Sequence, residues 1–281
     1  MNIFTMSNHD IRNSIDFSVR PAPSIIPINK VENASRASLL FLGKEGVGED
    51  ALNIIGQQIP RVCTSKKMYD IIFLNRFSME DFSSKLNKML PTQIITTITN
   101  NDSAIAVATM IAIQKTTLKT IEETDFSQYK KIYILGHGNA GAHSLKLGPE
   151  LLSVDEVVSR LIDGSVLKVK DIRLTSCGSA DKEKICSFTN YNGSHSDGWM
   201  SKIMKLFKED RVSFLDKFTS ALEDKGYDNI KISGYHGAGV FYTGTSLPFN
   251  HLRSITIPAD PEHTVRRSTQ REIKITSVEV D

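Results

Sequence analysis

The chain has 281 residues, of which 40% are hydrophobic and 23% charged, and its formal net charge at pH 7 is +2. This composition is typical of a folded globular protein and excludes collagen, a coiled coil and a wholly disordered chain. The small net charge does not favour a nucleic-acid-binding protein. Three cysteines are too few for a disulfide scaffold and indicate a reducing compartment.

The first 36 residues differ from the rest of the chain. They are rich in Asn, Ser and Ile and carry prolines at positions 21, 23 and 27, which favour an extended, loosely packed segment. They lack the apolar core of a cleaved signal peptide. We interpret 1–36 as a flexible leader, either merely disordered or an uncleaved export signal of the kind used by bacterial injection systems. The folded domain is then 37–281.

The first half of this domain alternates short apolar runs with longer amphipathic stretches. Buried strands are predicted at Ser38–Leu42, Tyr69–Leu74 and Ile94–Ile98. Helices are predicted at Asp50–Gln58, at Met79–Leu90, where Pro91 would end the helix, and at Ala104–Ile121. The apolar run inside the last helix is far shorter than the roughly 20 residues that span a bilayer, so we expect no membrane span.

The second half continues the alternation. The clearest helix is Ser153–Asp163, where Ser153 and Glu156 form a capping box and Gly164 is a suitable C-terminal cap. Further helices are predicted at Met200–Lys208 and Ser213–Lys225. Strands are predicted at Lys131–Leu135, Asp171–Thr175 and Asn229–Ser233, and Leu252–Ile257 and Glu272–Val278 alternate like a hairpin or flap.

Strands that alternate with helices predict an α/β fold with a mainly parallel sheet and helices on both faces. In such a sheet the binding crevice lies at the carboxyl ends of the strands. Three predicted strands end there in glycine-flanked polar residues, namely His137, Cys177 and the pair Tyr235-His236. We therefore expect the functional site at this edge.

His137 and Cys177 are separated by one β-α-β crossover, which brings the ends of its two strands together. A thiolate is the reactive form of cysteine, and an imidazole can take the thiol proton. The spacing predicts Cys177 as a nucleophile and His137 as its base, with the backbone N–H groups of Gly138 and Cys177 as an oxyanion hole. His143 remains an alternative base, and Asp155 and Asp197 are candidates to orient the imidazole.

These residues carry a family resemblance. Ile134-Leu135-Gly136-His137-Gly138, followed by Leu174-Thr175-Ser176-Cys177-Gly178-Ser179-Ala180, resembles the clan of caspases, gingipains and clostripain (clan CD). It is most similar to the cysteine protease domains of large bacterial toxins, and 226–235 resembles the strand that follows the cysteine there. As a free-standing chain with a leader, the protein resembles OspB-type effectors of bacterial type III secretion.

The resemblance implies a caspase-like three-layer sandwich with a C-terminal β-flap and a Cys177–His137 dyad. It implies an endopeptidase that a bacterium secretes without a cleaved signal and that acts on host protein in the host cytoplasm. It also implies inositol hexakisphosphate as allosteric activator, with no metal. We expect a monomer.

Two groups of residues follow from these expectations. We expect Ser176, Tyr235 and His236 to line the substrate pocket. A polyphosphate needs several Lys and Arg on a rigid surface, and the basic flap, 246–281, with one nearby loop offers Lys44, Arg253, Arg266, Arg267, Arg271 and Lys274.

Other functions remain open at this point. The same dyad would serve a transamidase or deamidase, because the acyl-enzyme chemistry is shared. The chain would instead be a non-catalytic module if the dyad were idle and the basic flap docked phosphoinositides. The basic flap would have no ligand at all if it were an ordinary solvated tail.

Overall fold

The computed structural model of this chain describes residues 36–46, 48–99, 103–188, 212–244, 247–260 and 263–278. The predicted leader, apart from its last residue, and the predicted helix Met200–Lys208 lie outside these residues. Among the helices that are described, none is both long and apolar enough to cross a lipid bilayer.

The described residues form twelve strands and six α-helices. The strands are β1 (Ala37–Phe41), β2 (Asp70–Phe73), β3 (Leu118–Thr120), β4 (Lys131–Ile134), β5 (Ser144–Leu147), β6 (Glu150–Ser153), β7 (Asp171–Leu174), β8 (Lys231–Tyr235), β9 (Ala238–Gly244), β10 (Leu247–Ser254), β11 (Thr264–Arg266) and β12 (Arg271–Ile275). The helices are α1 (Gly48–Gly56), α2 (Ile59–Cys63), α3 (Arg76–Thr99), α4 (Ser103–Lys115), α5 (Val154–Asp163) and α6 (Phe214–Glu223).

A seven-stranded sheet with the order β12-β8-β7-β4-β1-β2-β3 forms the centre of the fold. All its neighbouring strands are parallel except β12, which runs antiparallel to β8. This confirms the predicted α/β class with a mainly parallel sheet. From β1 the chain proceeds outward through β2 to β3, and from β4 it proceeds the opposite way through β7 to β8. Right-handed crossovers then place the two sets of helices on opposite faces, an arrangement compatible with a three-layer sandwich.

The central strands are buried on both faces, as expected for parallel strands covered by helices. Leu39–Leu42 and Ile71–Phe73 are at most 2% exposed, and the strand residues Ile132 and Ile134 are equally buried. These apolar runs identified β1, β2 and β4 correctly from sequence. Their burial fixes the register of the strands and therefore the position along the sheet at which each strand ends.

The predicted capping box holds α5 in place between β4 and β7. The Ser153 hydroxyl accepts a hydrogen bond from the Glu156 backbone N–H, and the Glu156 carboxylate accepts one from the Ser153 N–H at 2.7 Å. Gly164 ends the helix, and its N–H donates to the Arg160 carbonyl. The crossover that joins β4 to β7 is therefore rigid at both ends.

One predicted strand and the ends of two predicted helices are wrong. Ile94–Ile98 belongs to α3, which continues through Pro91 instead of ending there. The third parallel strand is Leu118–Thr120, inside the segment predicted as the end of a long helix. It forms because β2 offers it a partner, with Ile71 opposite Leu118 and Phe73 opposite Thr120. Short β-branched runs do not identify a strand without knowledge of such a partner.

The predicted C-terminal flap is also organised differently. Leu252–Ile257 and Glu272–Val278 do not pair with each other. β10 pairs with β9 and β11 in a separate three-stranded antiparallel sheet, whereas β12 is the antiparallel edge of the main sheet. The flap is thus β9–β11, which begins before residue 246 and does not include the last strand.

A buried carboxylate links residues at or near the amino ends of four neighbouring strands, β4, β1, β2 and β3. Asp70 at the start of β2 accepts hydrogen bonds from the Tyr129 hydroxyl and from Arg36 Nη2 at 2.9 Å, and Lys119 Nζ lies 3.3 Å away. Burial raises the pKa of Asp70, but the Tyr129 hydrogen bond and the two cations outweigh it, so the pKa lies below its usual value. The charged carboxylate therefore stabilises the fold.

We predict that Asp70→Asn lowers the free energy of unfolding at pH 7 by about 1–3 kcal/mol. The folded-state pKa is below the unfolded value of about 3.9, so this stabilisation is present above that value and is lost as the pH falls through the folded pKa. Urea unfolding of both proteins from pH 7 to pH 3 tests this. Asp163→Asn, at an exposed helix end, is the matched control. A difference that persists undiminished at pH 3 would contradict it.

Candidate active site

The strand order reverses between β1 and β4, and such a switch point is where parallel sheets bind ligands. The two predicted dyad residues lie at this edge. His137 follows β4 and Cys177 follows β7, and these strands are direct neighbours in the sheet. The helix α1, which follows β1, reaches the same edge from the other side. The fold therefore brings three chain segments to one place.

The loops that carry His137 and Cys177 pack directly against each other. A Cβ added to Gly138 would lie 3.1 Å from Ser176 Cβ and 3.2 Å from the Cys177 carbonyl oxygen. Gly178 has a φ of +58°, and a Cβ there would lie 2.7 Å from the Ala140 nitrogen. These two glycines let the loops approach each other more closely than residues with side chains would.

The His137 side chain has a buried acidic partner that sequence analysis missed. Its Nε2 lies 3.2 Å from Asp50 Oδ1 on α1, and Asp50 is 3% exposed. A neutral imidazole that donates its Nε2 proton to this carboxylate leaves Nδ1 as the proton acceptor. The backbone of His137 is also fixed, because its N–H and carbonyl both bond to Lys146 in the β5–β6 hairpin.

The other candidates for these roles lie elsewhere. The His143 ring nitrogen Nδ1 is 2.8 Å from Lys217 Nζ on α6, so that ring has a different partner. Asp155 is exposed near the start of α5. Asp197 lies outside the described residues. Of the described carboxylates, Asp50 is the ion-pair partner of His137.

The Cys177 sulfur is partly exposed and accepts a hydrogen bond. The donor is the backbone N–H of Gly239 at the start of β9, 3.4 Å from Sγ. The predicted oxyanion donors, the N–H groups of Gly138 and Cys177, have no acceptor within the described part of the chain. Both groups are therefore available to a carbonyl oxygen bound beside the sulfur.

The three residues predicted to line a substrate pocket are buried in this structure. Ser176, Tyr235 and His236 are 3%, 1% and 5% exposed. Asp181 Oδ1 lies 2.7 Å from His236 Nδ1, and its Oδ2 accepts the Gly237 N–H. Ser176 comes just after β7, and Tyr235 and His236 lie at the end of β8, so their side chains remain in the core. There they support the loop that carries Cys177.

The predicted polyphosphate residues do not form one group. Lys44 pairs with Glu150, Lys274 with Asp216, and Arg253 is 1% exposed. Arg253 therefore has almost no surface that a ligand in solution could reach. Arg266 is exposed and Arg271 half-buried. Alternation along the chain did not reveal which basic residues already have acidic partners.

Arg267 lies instead among basic residues from distant parts of the chain. Arg267 is 5.4 Å from the Tyr133 ring and 5.5 Å from the Tyr235 ring, Arg173 is 5.4 Å from the Tyr133 ring, and Arg61 is 4.0 Å from the Tyr69 ring. We call these three arginines and three tyrosines the arginine–tyrosine cluster. The buried Arg253 also lies over the Tyr235 ring, at 4.7 Å, but is not counted in the cluster.

The positive charge of the cluster is only partly balanced by carboxylates of the described residues. Arg173 pairs with Asp171 at 3.0 Å, but Arg267 has no hydrogen-bond or ion-pair partner among the residues described. Burial, followed by the charges of Arg267, Arg253 and Arg61, holds the pKa of His251 well below its usual value. Arg61, Arg173 and Arg267 are each half-buried.

Within the described ranges, no group of three or more His, Cys, Asp or Glu side chains is placed to hold a metal ion. Comparison of the chain with protein-family models and with curated proteins found no match.

Asp50 and the arginine–tyrosine cluster are what sequence analysis missed. Asp50 follows β1, and its position is informative only once β1 is known to be the neighbour of β4. Arg173 and Arg267 share the Tyr133 ring, and Arg61 stacks on Tyr69, whose ring is 5.3 Å from that of Tyr133, although the three arginines are far apart in sequence. The spacing of motifs relates residues within a single β-α-β crossover, so it does not reveal contacts between residues from more distant segments.

We predict that Asp50→Asn slows alkylation of Cys177 by iodoacetamide at pH 7 roughly tenfold, because the imidazole loses the partner that fixes its orientation. Intact-mass analysis over time measures the rate, with Cys177→Ala identifying the relevant adduct. Asp155→Asn is the control and should react at the wild-type rate. Equal rates for Asp50→Asn and wild type would exclude an orienting role for Asp50.

Proposed function

We propose that the protein is a cysteine endopeptidase in which Cys177 is the nucleophile and His137 the general base. The observation that carries the proposal is the contact between the loops after β4 and β7, with His137 held by a buried carboxylate. A histidine that needs only to be satisfied in a loop does not require an acid that is 3% exposed. The motifs Gly136-His137-Gly138 and Ser176-Cys177-Gly178, which resemble those of clan CD, support the same reaction.

The proposed reaction is acyl transfer. His137 Nδ1 takes the thiol proton, and the Cys177 sulfur attacks the carbonyl carbon of the scissile peptide bond. The N–H groups of Gly138 and Cys177 stabilise the oxyanion. The imidazolium then gives its proton to the departing amine, and a thioester remains on Cys177. Water, deprotonated by His137, attacks the thioester and releases the acid, and the thiol regains its proton.

We also propose that inositol hexakisphosphate activates the enzyme by binding at the arginine–tyrosine cluster. Arg61, Arg173 and Arg267 supply guanidinium groups, which form charge-assisted hydrogen bonds with phosphate. Three tyrosine rings hold these arginines and reduce the conformational entropy lost on binding. Of the residues first considered for this ligand, Arg267 belongs to the cluster.

The cellular setting of this proposal follows from the resemblance. A bacterial effector that requires a eukaryotic polyphosphate is inactive in the bacterium and active in the host cytoplasm. The proposed substrate is host protein, and the proposed acceptor of the acyl group is water. An amine acceptor would make the enzyme a transamidase, and product masses separate the two.

We predict that inositol hexakisphosphate protects both wild type and Cys177→Ala from limited trypsin digestion, because the ligand site does not include the sulfur. Only wild type should then give a Cys177-dependent product: a self-cleaved chain, or a covalent adduct with a peptidyl electrophile. Intact mass measures both. Protection without any such product in wild type would favour the non-catalytic phosphoinositide-binding alternative. A product that carries an added amine would indicate a transamidase.

We predict that Arg267→Glu weakens binding of inositol hexakisphosphate by at least about tenfold, since it replaces a guanidinium by a repelling charge. Isothermal titration calorimetry measures the affinity. Lys44→Glu is the matched control, because Lys44 already faces Glu150 and should contribute little. Equal losses in the two variants would indicate non-specific attraction and not a site at the cluster.

A further inference from the structure

Arg253 on β10 is the most deeply buried cation among the described residues, with 1% of its surface exposed. Its Nη2 donates to the Thr175 carbonyl at 3.0 Å. Its Nη1 donates to the carbonyls of Ser176 at 3.3 Å and Gly237 at 3.1 Å. One guanidinium therefore holds the two residues that precede Cys177 together with the turn between β8 and β9.

The same turn contacts the other side of the nucleophile. The Gly178 N–H donates to the Gly237 carbonyl at 2.8 Å, and the Gly239 N–H donates to the Cys177 sulfur. A Cβ on Gly239 would lie 3.6 Å from Arg253 Nη1, so this glycine is close to both the guanidinium and the sulfur. Arg253 therefore contacts the backbone both before Cys177 and in the turn that bonds to its sulfur.

Hydrogen bonding to three backbone carbonyls does not by itself explain why residue 253 is a charged arginine. Within the described chain it forms no ion pair with a carboxylate, and its Nε has no hydrogen-bond partner. Burial lowers the pKa of Arg253 to about 10, and the electrostatic interaction with Cys177 is the largest influence in the opposite direction. A buried cation is costly unless an anion compensates it. A neutral donor would satisfy the carbonyls at a lower cost.

Several other elements carry charged or titratable groups near Cys177. They are His137 after β4, Asp50 on α1, Asp181 on the loop of Cys177 itself, Tyr235 and His236 at the end of β8, and Arg267 beyond the Tyr235 ring. The two carboxylates face histidines. Arg253 is the cation that contacts the backbone of the nucleophile loop.

We propose that Arg253 is a positioning residue, which fixes the loop before Cys177 through three carbonyls and stabilises negative charge on the Cys177 sulfur. The inference rests on the proposed role of Cys177 as nucleophile. It adds a cation to the dyad and assigns that cation to the flap, because Arg253 belongs to β10. In this proposal the Cys177 thiol is reactive only when the flap is folded with Arg253 in place.

The test measures alkylation of each cysteine by iodoacetamide from pH 5 to pH 10 with peptide mass spectrometry. Arg253→Gln keeps hydrogen-bond donors but removes the charge, whereas Arg253→Lys keeps the charge. We expect Arg253→Gln to slow Cys177 about tenfold at pH 7 and to approach wild type at high pH, and Arg253→Lys to restore the wild-type pH profile. The exposed Cys186 is an internal standard and should not change.

A second measurement does not depend on a variant of this buried residue folding. The free energies of unfolding of wild type and Cys177→Ala are compared from pH 6 to pH 9. If a negative sulfur compensates Arg253, the advantage of wild type grows as the pH rises, because the folded protein then holds the thiolate more favourably than the unfolded chain does. A constant difference, or identical alkylation profiles for wild type and folded Arg253→Gln, would overturn the inference. The inference would also be overturned if Arg253→Gln is folded and slowed but Arg253→Lys does not show the wild-type pH profile of alkylation.

These outcomes are distinct from failure of the proposed function. If Cys177 in wild type reacts no faster than Cys186 at any pH below 8, the dyad is idle and the proposed protease activity is wrong. If Cys177 is reactive but insensitive to Arg253→Gln, only the role of Arg253 is wrong.

Discussion

The pairing of β4 with β1 on one side and β7 on the other is the constraint on which the site depends. All three strands are parallel, so their carboxyl ends meet at one edge. This pairing brings Asp50, His137 and Cys177 together from segments that are 40 or more residues apart in sequence. The buried apolar side chains of the strands hold the register, and a slip by one residue would turn the adjoining loops away from each other.

Buried charge at this edge is compensated locally, with one exception. Asp50 faces His137, and Asp181 faces His236 and the Gly237 N–H. Arg253 instead bonds only to carbonyl oxygens within the described chain and lies beside the proposed nucleophile. An imbalance of this kind is costly in a structural core but useful in an active site, where an anion forms during the reaction.

The arginine–tyrosine cluster and the loop that carries Cys177 both contact residues of the flap or residues next to it. Arg267 follows β11, Arg253 lies on β10, and both guanidinium groups contact the Tyr235 ring, at 5.5 Å and 4.7 Å. An anion bound to Arg267 would act on the ring that supports Arg253. The proposed ligand site and the proposed catalytic site are therefore connected through a continuous set of packed side chains, which is a physical route for coupling between them.

The sequence by itself determined the α/β class, most buried strands, the capped helix between β4 and β7, and the pairing of a histidine with a cysteine across one crossover. Each of these is encoded within about 40 residues, through burial period, capping residues or motif spacing. Only the tertiary structure decided the partner of His137, the burial of Arg253 and His236, the third parallel strand at Leu118–Thr120 and the composition of the flap. These depend on which distant segments become neighbours, because a carboxylate, a strand or an arginine acquires its role from the groups that the fold places beside it.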